Sequence, residues 1–228
     1  MTSKTINRVW LGSPMPEDYR EYGEQWLEMN PGWRLHDWTD EEVFDTTWFN
    51  QEVINQMIEQ SKNPNADKIA FYTHVADVID YEIIYHYGGL YLNTDIKPIR
   101  PLECLYPPIE TDRAALAMED DVHAVNMAMY GPSEHQFFGR LLQELPKRYR
   151  DYPKAGMHVT TGVGLIMQVL AEKDWNVTLW HRDVWNPIHW GDIPFGTKPD
   201  LDIDYPESTV GSHFWTHRLY QRGHEVLP

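Results

Sequence analysis

Asn93, Thr94 and Asp95 close the stretch LYLNTDI, which follows two glycines, Gly88 and Gly89. On a strand, alternate side chains share a face, so Asn93 and Asp95 project the same way and Thr94 the other. The pair offers one carboxylate and one amide oxygen, a donor set suited to a hard divalent cation. Such an ion keeps several waters and typically takes one or two protein carboxylates plus the phosphate oxygens of a substrate. The plain alternative is a polar strand end making a turn. Upstream, Asp77 and Asp80 sit three residues apart and share a helical face with Thr73 and Ile84. A glycine stop that folds this helix back would bring its acids toward the strand end.

Hydrophobic spacing predicts the elements that must hold these groups. INRVWLG, residues 6–12, is a short apolar run ended by Gly12, Pro14 and Pro16 and reads as a first buried strand. PEDYREYGEQWLEMN carries Tyr19, Tyr22, Trp26 and Met29 at helical spacing, and Asn30-Pro31-Gly32 ends it. WRLHDW follows as a second strand, and residues 40–60 read as an acidic, partly exposed helical region. Ile69, Tyr72, Ala76, Ile79, Ile83 and Tyr87 predict a long helix with one buried stripe, capped by Gly88-Gly89 in the left-handed region. LYLNTDI is too short for a helix and apolar at its start, which predicts a central strand leaving the core at its polar end. SEHQFFGRLLQELPKRY predicts a helix capped by Ser133, TTGVGLIMQVLAE another with a Thr cap, and VTLWHRDVWNPIHW one or two strands. Alternation of strand and helix at crossover spacing predicts a single α/β domain over residues 1–228, with a mostly parallel central sheet flanked by helices. Ligands bind beyond the carboxyl ends of such strands, where Asn93 and Asp95 fall.

Bulk composition narrows the function classes. The 228 residues are 42% hydrophobic and include ten Trp, enough for a well-buried core and unlike a disordered chain. A formal net charge of -16 opposes phosphate backbones and anionic lipid headgroups, and the longest basic cluster is PKRYR at 146–150, so no nucleic-acid partner is expected. No run of about 18 apolar residues occurs, and MTSKTINRVW lacks a signal-peptide core, so the expectation is no membrane anchor and a cytoplasmic location. Cys104 stands alone, which excludes an internal disulfide and a cysteine-based zinc site, and it is expected to be a small buried hydrophobe. No Gly-x-Ser-x-Gly, His-Glu-x-x-His or Gly-rich phosphate loop with Lys is present.

VADVIDYEIIYHYGGLYLNTDIKPIRPL, residues 75–102, resembles the signature of glycosyltransferase family 32, the sugar transferases with a DXD motif. That pattern runs from a helix acid through two apolar residues and Arg-Tyr to Gly-Gly-hydrophobic-Tyr-hydrophobic-Asp-x-Asp and a Pro-Leu. RVWLGSPMP resembles the opening Trp-hydrophobic-Gly strand of the family, and WLEMNPGWRLHDW its Trp, Asn-Pro-Gly and terminal Trp. NMAMYG, TTGVGL and VGSHFWTHRL are weaker echoes. The resemblance implies a GT-A fold with a nucleotide-sugar half over about residues 1–102 and an acceptor half over about 103–228. It further implies retaining transfer from a nucleoside-diphosphate sugar (UDP-sugar favoured, GDP-sugar possible) to a glycan or protein hydroxyl, with Mn2+ or Mg2+ as cofactor.

Residue by residue, Trp10 matches the tryptophan that stacks on the base, with Leu11 and Gly12 beside it; core packing is the competing role for Trp10. Asp77 matches the helix acid that meets the donor sugar, Tyr91 the tyrosine before the motif, and Asp95 the second, metal-binding acid. Asp77 and Asp95 are thus the implied catalytic acids. His213 and Trp215 match a segment that closes over the donor, which makes Asn93, Asp95 and His213 the implied metal set. The aromatic stretch at 180–196 falls where acceptor loops lie; capping the core is the equal alternative for its Trp residues.

Two positions depart from the pattern. Asn93 replaces its first motif acid, and Asp80, a donor-site position, replaces its arginine. Asp77, Asp80, Asn93 and Asp95 sum to -3 where Asp, Arg, Asp, Asp sum to -2, so a diphosphate calls for compensation by a cation or by bases such as Lys97, Arg100, Lys154 and Arg182. The departures leave two other readings open: a non-catalytic descendant that binds a nucleotide sugar or glycan, and a nucleotide-sugar hydrolase.

Overall fold

The computed structural model describes residues 3–64, 66–152, 155–193 and 203–215. In chain order the elements are β1 (Thr5–Val9), α1 (Glu17–Met29), β2 (Arg34–Trp38), α2 (Asp40–Asp45), α3 (Gln51–Ser61), α4 (Lys68–Tyr87), β3 (Gly89–Leu92), β4 (Ile96–Pro98), β5 (Ala114–Met118) and β6 (Ala124–Gly131). They continue with α5 (Gln136–Asp151), α6 (Met157–Thr160), α7 (Val163–Leu170), β7 (Val177–Trp180), α8 (Arg182–Trp185) and β8 (Gly211–His213). Six strands form one sheet in the order β2-β1-β3-β6-β5-β7. β1 pairs in parallel with both β2 and β3, β5 pairs in parallel with β7, and β6 runs antiparallel to β3 and β5. The sheet is therefore mostly parallel with one reversed strand. β4 and β8 form a separate antiparallel ribbon.

Apolar residues cover both faces of the sheet. On one side α3, α4, α5 and α7 bury Met57, Ile79, Ile83, Phe137, Leu141 and Ile166. On the other, Trp26, Trp180, Trp185 and Ile96 pack with Leu90 and Leu92. Trp26 of α1 is fully buried, donates its indole N–H to the Ile96 carbonyl at 3.2 Å, and lies 6.1 Å from the Trp185 ring. Asn30 closes the same helix and accepts the Leu102 N–H at 2.7 Å, tying α1 to the chain that follows β4.

The helix leading to the motif begins where Asp67 accepts the N–H groups of Ile69 and Ala70, an N-cap that satisfies two otherwise orphaned donors. It ends at Gly88 and Gly89, with φ of 63° and 102°. A Cβ at Gly89 would lie 2.6 Å from the Thr5 carbonyl oxygen, so glycine alone allows the chain to enter β3 directly beside β1.

Several expectations are corrected here. α4 has no single buried stripe: it is buried all round from Val78 to Ile84, while Ile69 and Tyr87 emerge at 53% and 50% exposure. The helix is sandwiched in its middle between sheet and helices, so its apolar residues stop tracking one face. Residues 40–60 form two helices, parted where buried Glu82 accepts the N–H groups of Phe49 and Asn50. α5 starts at Gln136, with His135 rather than Ser133 at its cap, because Glu134 adopts φ 60° and cannot extend the helix back. The TTG segment splits into α6 and α7, with Gly162 at the latter's cap, and residues 177–185 hold one strand followed by a short helix. Cys104 is exposed at the end of a single 3-10 turn. Among the described residues, no helix is long and apolar enough to cross a membrane.

Candidate active site

A cleft of about 1320 Å³ opens at the carboxyl ends of β1 and β3. Because β6 runs the other way, its first residues reach the same edge, and Val125, Asn126 and Met127 join the lining. Trp10, Leu11 and Gly12 leave β1 into the cleft; the Trp10 N–H bonds the Trp38 carbonyl at 3.1 Å and the Gly12 N–H bonds Asp40 at 3.0 Å. The Trp10 ring stands edge-on to Tyr19 with centroids 5.6 Å apart, and its indole nitrogen is buried without a partner. β3 stops at Leu92, so Asn93 to Asp95 form a turn rather than a strand end, anchored by the Asn93 N–H on the Met127 carbonyl at 2.8 Å. Asn93 and Asp95 both still line the cleft, and so does Thr94, which strand alternation had turned away.

The ribbon of β4 and β8 brings the third member of the implied metal set. Its register sets Ile96 opposite His213, and the Phe214 N–H bonds the Asp95 carbonyl at 2.9 Å. His213 Nε2 lies 3.0 Å from Asp95 Oδ1 and 3.4 Å from the Asn93 amide nitrogen, while Nδ1 is buried without a partner among the described residues. Among the described residues, no three His, Cys, Asp or Glu side chains gather tightly enough to hold a metal by themselves. Asp95 and His213 do fit a hard cation that keeps several waters, since neighbouring ligands around an octahedral ion bound at about 2.1 Å stand about 3 Å apart, close to the 3.0 Å between their atoms, and Asn93 beside them can offer its amide oxygen. Trp215 packs its ring 4.3 Å from that of His213 and lines the cleft as well.

Asp77 enters from α4. The Thr161 hydroxyl donates to its Oδ2 at 2.7 Å and the Asn126 amide to its Oδ1 at 2.9 Å. Burial raises the Asp77 pKa above the ordinary range, opposed by those two hydrogen bonds and by His74 and His158. Asp80 does not reach the cleft: it is 1% exposed beneath it and receives the same Asn126 amide nitrogen at 2.8 Å. The extra negative charge expected at that position therefore lies outside the donor space. Tyr91 lines the cleft floor, its hydroxyl pushed well above the usual tyrosine range by burial and by the charges of Asp80, Asp77 and Asp95.

Other groups were not singled out as site residues in the sequence. Asn126 and Thr161 fall in the weak echoes NMAMYG and TTGVGL, but their importance lies in a contact 49 and 84 positions away, which no local spacing shows. Glu119, Asp120 and His123 come from the β5–β6 hairpin; burial works against the Asp120 charge, but the hydrogen bond from His123 and two backbone N–H groups bring its pKa down to about 2. Among the described residues, the Lys and Arg side chains in the lining are Lys68 and Arg148, and His123, His158, His189 and His213 line it too. Lys97, Arg100 and Arg182 do not line the cleft, Arg100 bonding the Pro206 and Thr209 carbonyls instead, and Lys154 falls outside the described residues. Of the aromatic stretch at 180–196, His189 and Trp190 reach the cleft, whereas Trp180 and Trp185 are fully buried core and residues 194–196 lie outside the described residues.

Residues 16–115 match the family described as the glycosyltransferase sugar-binding region containing a DXD motif, and this span covers both the helix acid and the Asn-Thr-Asp turn. An inositol phosphoceramide mannosyltransferase of Schizosaccharomyces pombe is 28% identical over 167 residues, which cover 70% of this chain and 43% of that relative. The mannosyl phosphorylinositol ceramide synthase of Saccharomyces cerevisiae is 27% identical over 151 residues, covering 65% and 36%. The chain thus spans less than half the length of either relative. Among solved structures, the PaToxG glycosyltransferase matches with a TM-score of 0.60 at 14% identity, covering 75% of this chain and 69% of that one. The UDP-bound glycosyltransferase domain of the YGT toxin matches with a TM-score of 0.51 at 9% identity, covering 78% and 79%. The mostly parallel α/β sheet is the GT-A architecture that the sequence resemblance implied.

Proposed function

We propose that the protein moves a sugar, with retention at the anomeric carbon, from a nucleoside-diphosphate donor to an acceptor hydroxyl, using Mn2+ or Mg2+. The observation that carries this reading is the convergence of Trp10, Asp77, Asn93, Asp95 and His213 on one cleft from segments far apart in the chain. Asn93, Asp95 and His213 would hold the cation, which when bound offsets charge developing on the departing diphosphate. Trp10 presents a flat π face to the base and an unpaired indole N–H to a polar atom. Asp77, braced on both oxygens, accepts hydrogen bonds from sugar hydroxyls, and Lys68 and Arg148 lend positive charge at the cleft wall.

The names of the relatives support mannose as the first sugar to try, and the UDP held by the toxin domain supports uridine as one base to try beside guanosine. Those same names support trying a lipid-linked inositol hydroxyl as acceptor, beside glycan and protein hydroxyls. Calorimetric titration of UDP and GDP, with and without Mn2+, tests the reading. Metal-dependent binding of one nucleotide is expected, and binding of neither under any metal condition would refute it.

Trp10→Ala is expected to weaken that binding by about 1–3 kcal/mol, roughly 5- to 150-fold in Kd, the usual worth of one base–aromatic stack. Trp10→Phe should recover most of the loss. Affinity unchanged in Trp10→Ala would remove the tryptophan from the donor site and leave it as packing for Tyr19.

A further inference from the structure

Asp77 and Asp80 stand nearly one helical turn apart on α4, and one amide nitrogen serves both. Asn126 Nδ2 carries two hydrogens and lies 2.9 Å from Asp77 Oδ1 and 2.8 Å from Asp80 Oδ2. The acids then differ in everything else around them. Asp77 borders the cleft and takes a second donor from Thr161. Asp80 is sealed beneath it, and its Oδ1 is buried without a hydrogen bond of normal geometry, a place where a carboxyl proton rather than a charge belongs. Two carboxylates in one low-dielectric site do not both ionise readily, so the pair titrates as a unit.

The facing groups decide which acid keeps the proton. His74 on α4 and His158 on α6 both favour the charge on Asp77. Asp80 is raised well above the ordinary range by burial and then by the Asp77 charge, with the Asn126 bond and the Tyr81 backbone opposing. Tyr81 and Tyr91 also border the pair; burial above all holds their hydroxyls neutral, and the Asp95 charge adds to the effect at Tyr91.

We propose that Asn126 is a positioning residue, binding Asp77 and Asp80 through one nitrogen so that Asp77 meets the cleft charged while Asp80 holds a proton behind it. This rests on the reading of Asp77 as the acid that meets the donor sugar. It also gives Asp80 a use: a neutral partner one turn away from Asp77 lets the charged acid keep an anionic donor as neighbour without a second negative charge beneath the floor.

Two measurements test this. The first needs no turnover: isotope-edited infrared spectra at neutral pH of protein labelled at aspartate. A carbonyl band from a protonated carboxyl is expected in the native protein and is expected to vanish in Asp80→Asn. A band that persists in Asp80→Asn, or is absent from the native protein, overturns the proposal. Thermal melting follows the same proton. Because the folded form binds it more tightly, stability is full below the ordinary aspartate range and is lost as pH climbs toward the raised value, a decline that Asp80→Asn should flatten.

The second is the pH profile of kcat/KM. Asn126→Ala removes a bond that favours charged Asp77, so the acid limb should move up by roughly one to two pH units. Asn126→Ser should recover part of that shift, and Asp80→Asn should leave the limb in place. A uniform fall at every pH in Asn126→Ala, with the limb unmoved, would make Asn126 merely structural and overturn the proposal. A native protein that transfers no sugar refutes the transferase reading, while the infrared band still decides where the proton lies.

Discussion

Asp95→Ala is expected to abolish metal-dependent nucleotide binding and to lower kcat/KM for sugar transfer by about 100-fold or more, the scale on which charge stabilisation at a leaving group is lost. Asp95 supplies the carboxylate of the Asn-Thr-Asp turn and holds His213 Nε2 at 3.0 Å, so its removal takes away a ligand and releases the orientation of another. Asp95→Asn separates the two effects. It keeps the shape and a hydrogen-bond acceptor but loses the charge, so it should melt near the native temperature and still fail to bind nucleotide with Mn2+. Transfer that survives intact in Asp95→Ala would mean that the cation, if one acts, is held elsewhere.

The second large effect concerns stability. Trp26→Ala should cost about 3–5 kcal/mol in equilibrium urea unfolding, the range for deleting a fully buried large aromatic side chain. The side chain is 0% exposed, packs on Trp185, and gives its indole N–H to the Ile96 carbonyl. Ile96 follows Asp95 directly and pairs with His213, so the same substitution loosens the metal set from behind. Activity should therefore fall further than the folded fraction alone predicts. A loss of less than about 1 kcal/mol would show that the cavity collapses without cost and that Trp26 is not what seats the ribbon.

What was legible in the sequence follows the range of the interactions involved. The helix before Gly88-Gly89, the strand after it and the polar turn at 93–95 are local patterns, and spacing alone located them. Asn93 and Asp95 could be placed at a ligand-binding edge because a parallel sheet gathers the carboxyl ends of its strands, and Trp10 and His213 were added through the family resemblance. Asn126 and Thr161 lay inside the weak echoes NMAMYG and TTGVGL, but their role was not legible, since a polar residue in an apolar strand or helix start carries no mark of the acid it will meet. Asp80 was misplaced for a related reason: three-residue spacing puts two acids near one face, but not at one depth, and the sheet covers the second. For Trp180 and Trp185 the sequence left acceptor wall and core packing equally open, because composition reports aromatic content and says nothing of burial; the structure places both in the core. Cys104 failed the opposite way, an apolar residue placed on a surface turn.

The junction of β4 with β8 has a further consequence. The six-stranded sheet is complete once residue 180 is in place, whereas the cation set is not complete until residue 213, a separation of 120 positions between Asn93 and its histidine neighbour. Three paired positions hold that closure, far fewer than hold the sheet core. The pocket can thus come undone while the scaffold stays folded, since local opening costs less free energy than global unfolding. On the ribosome, the chain would acquire its sheet before the proposed donor site, and a nascent protein would remain inert toward donor until β8 had emerged and zipped into place.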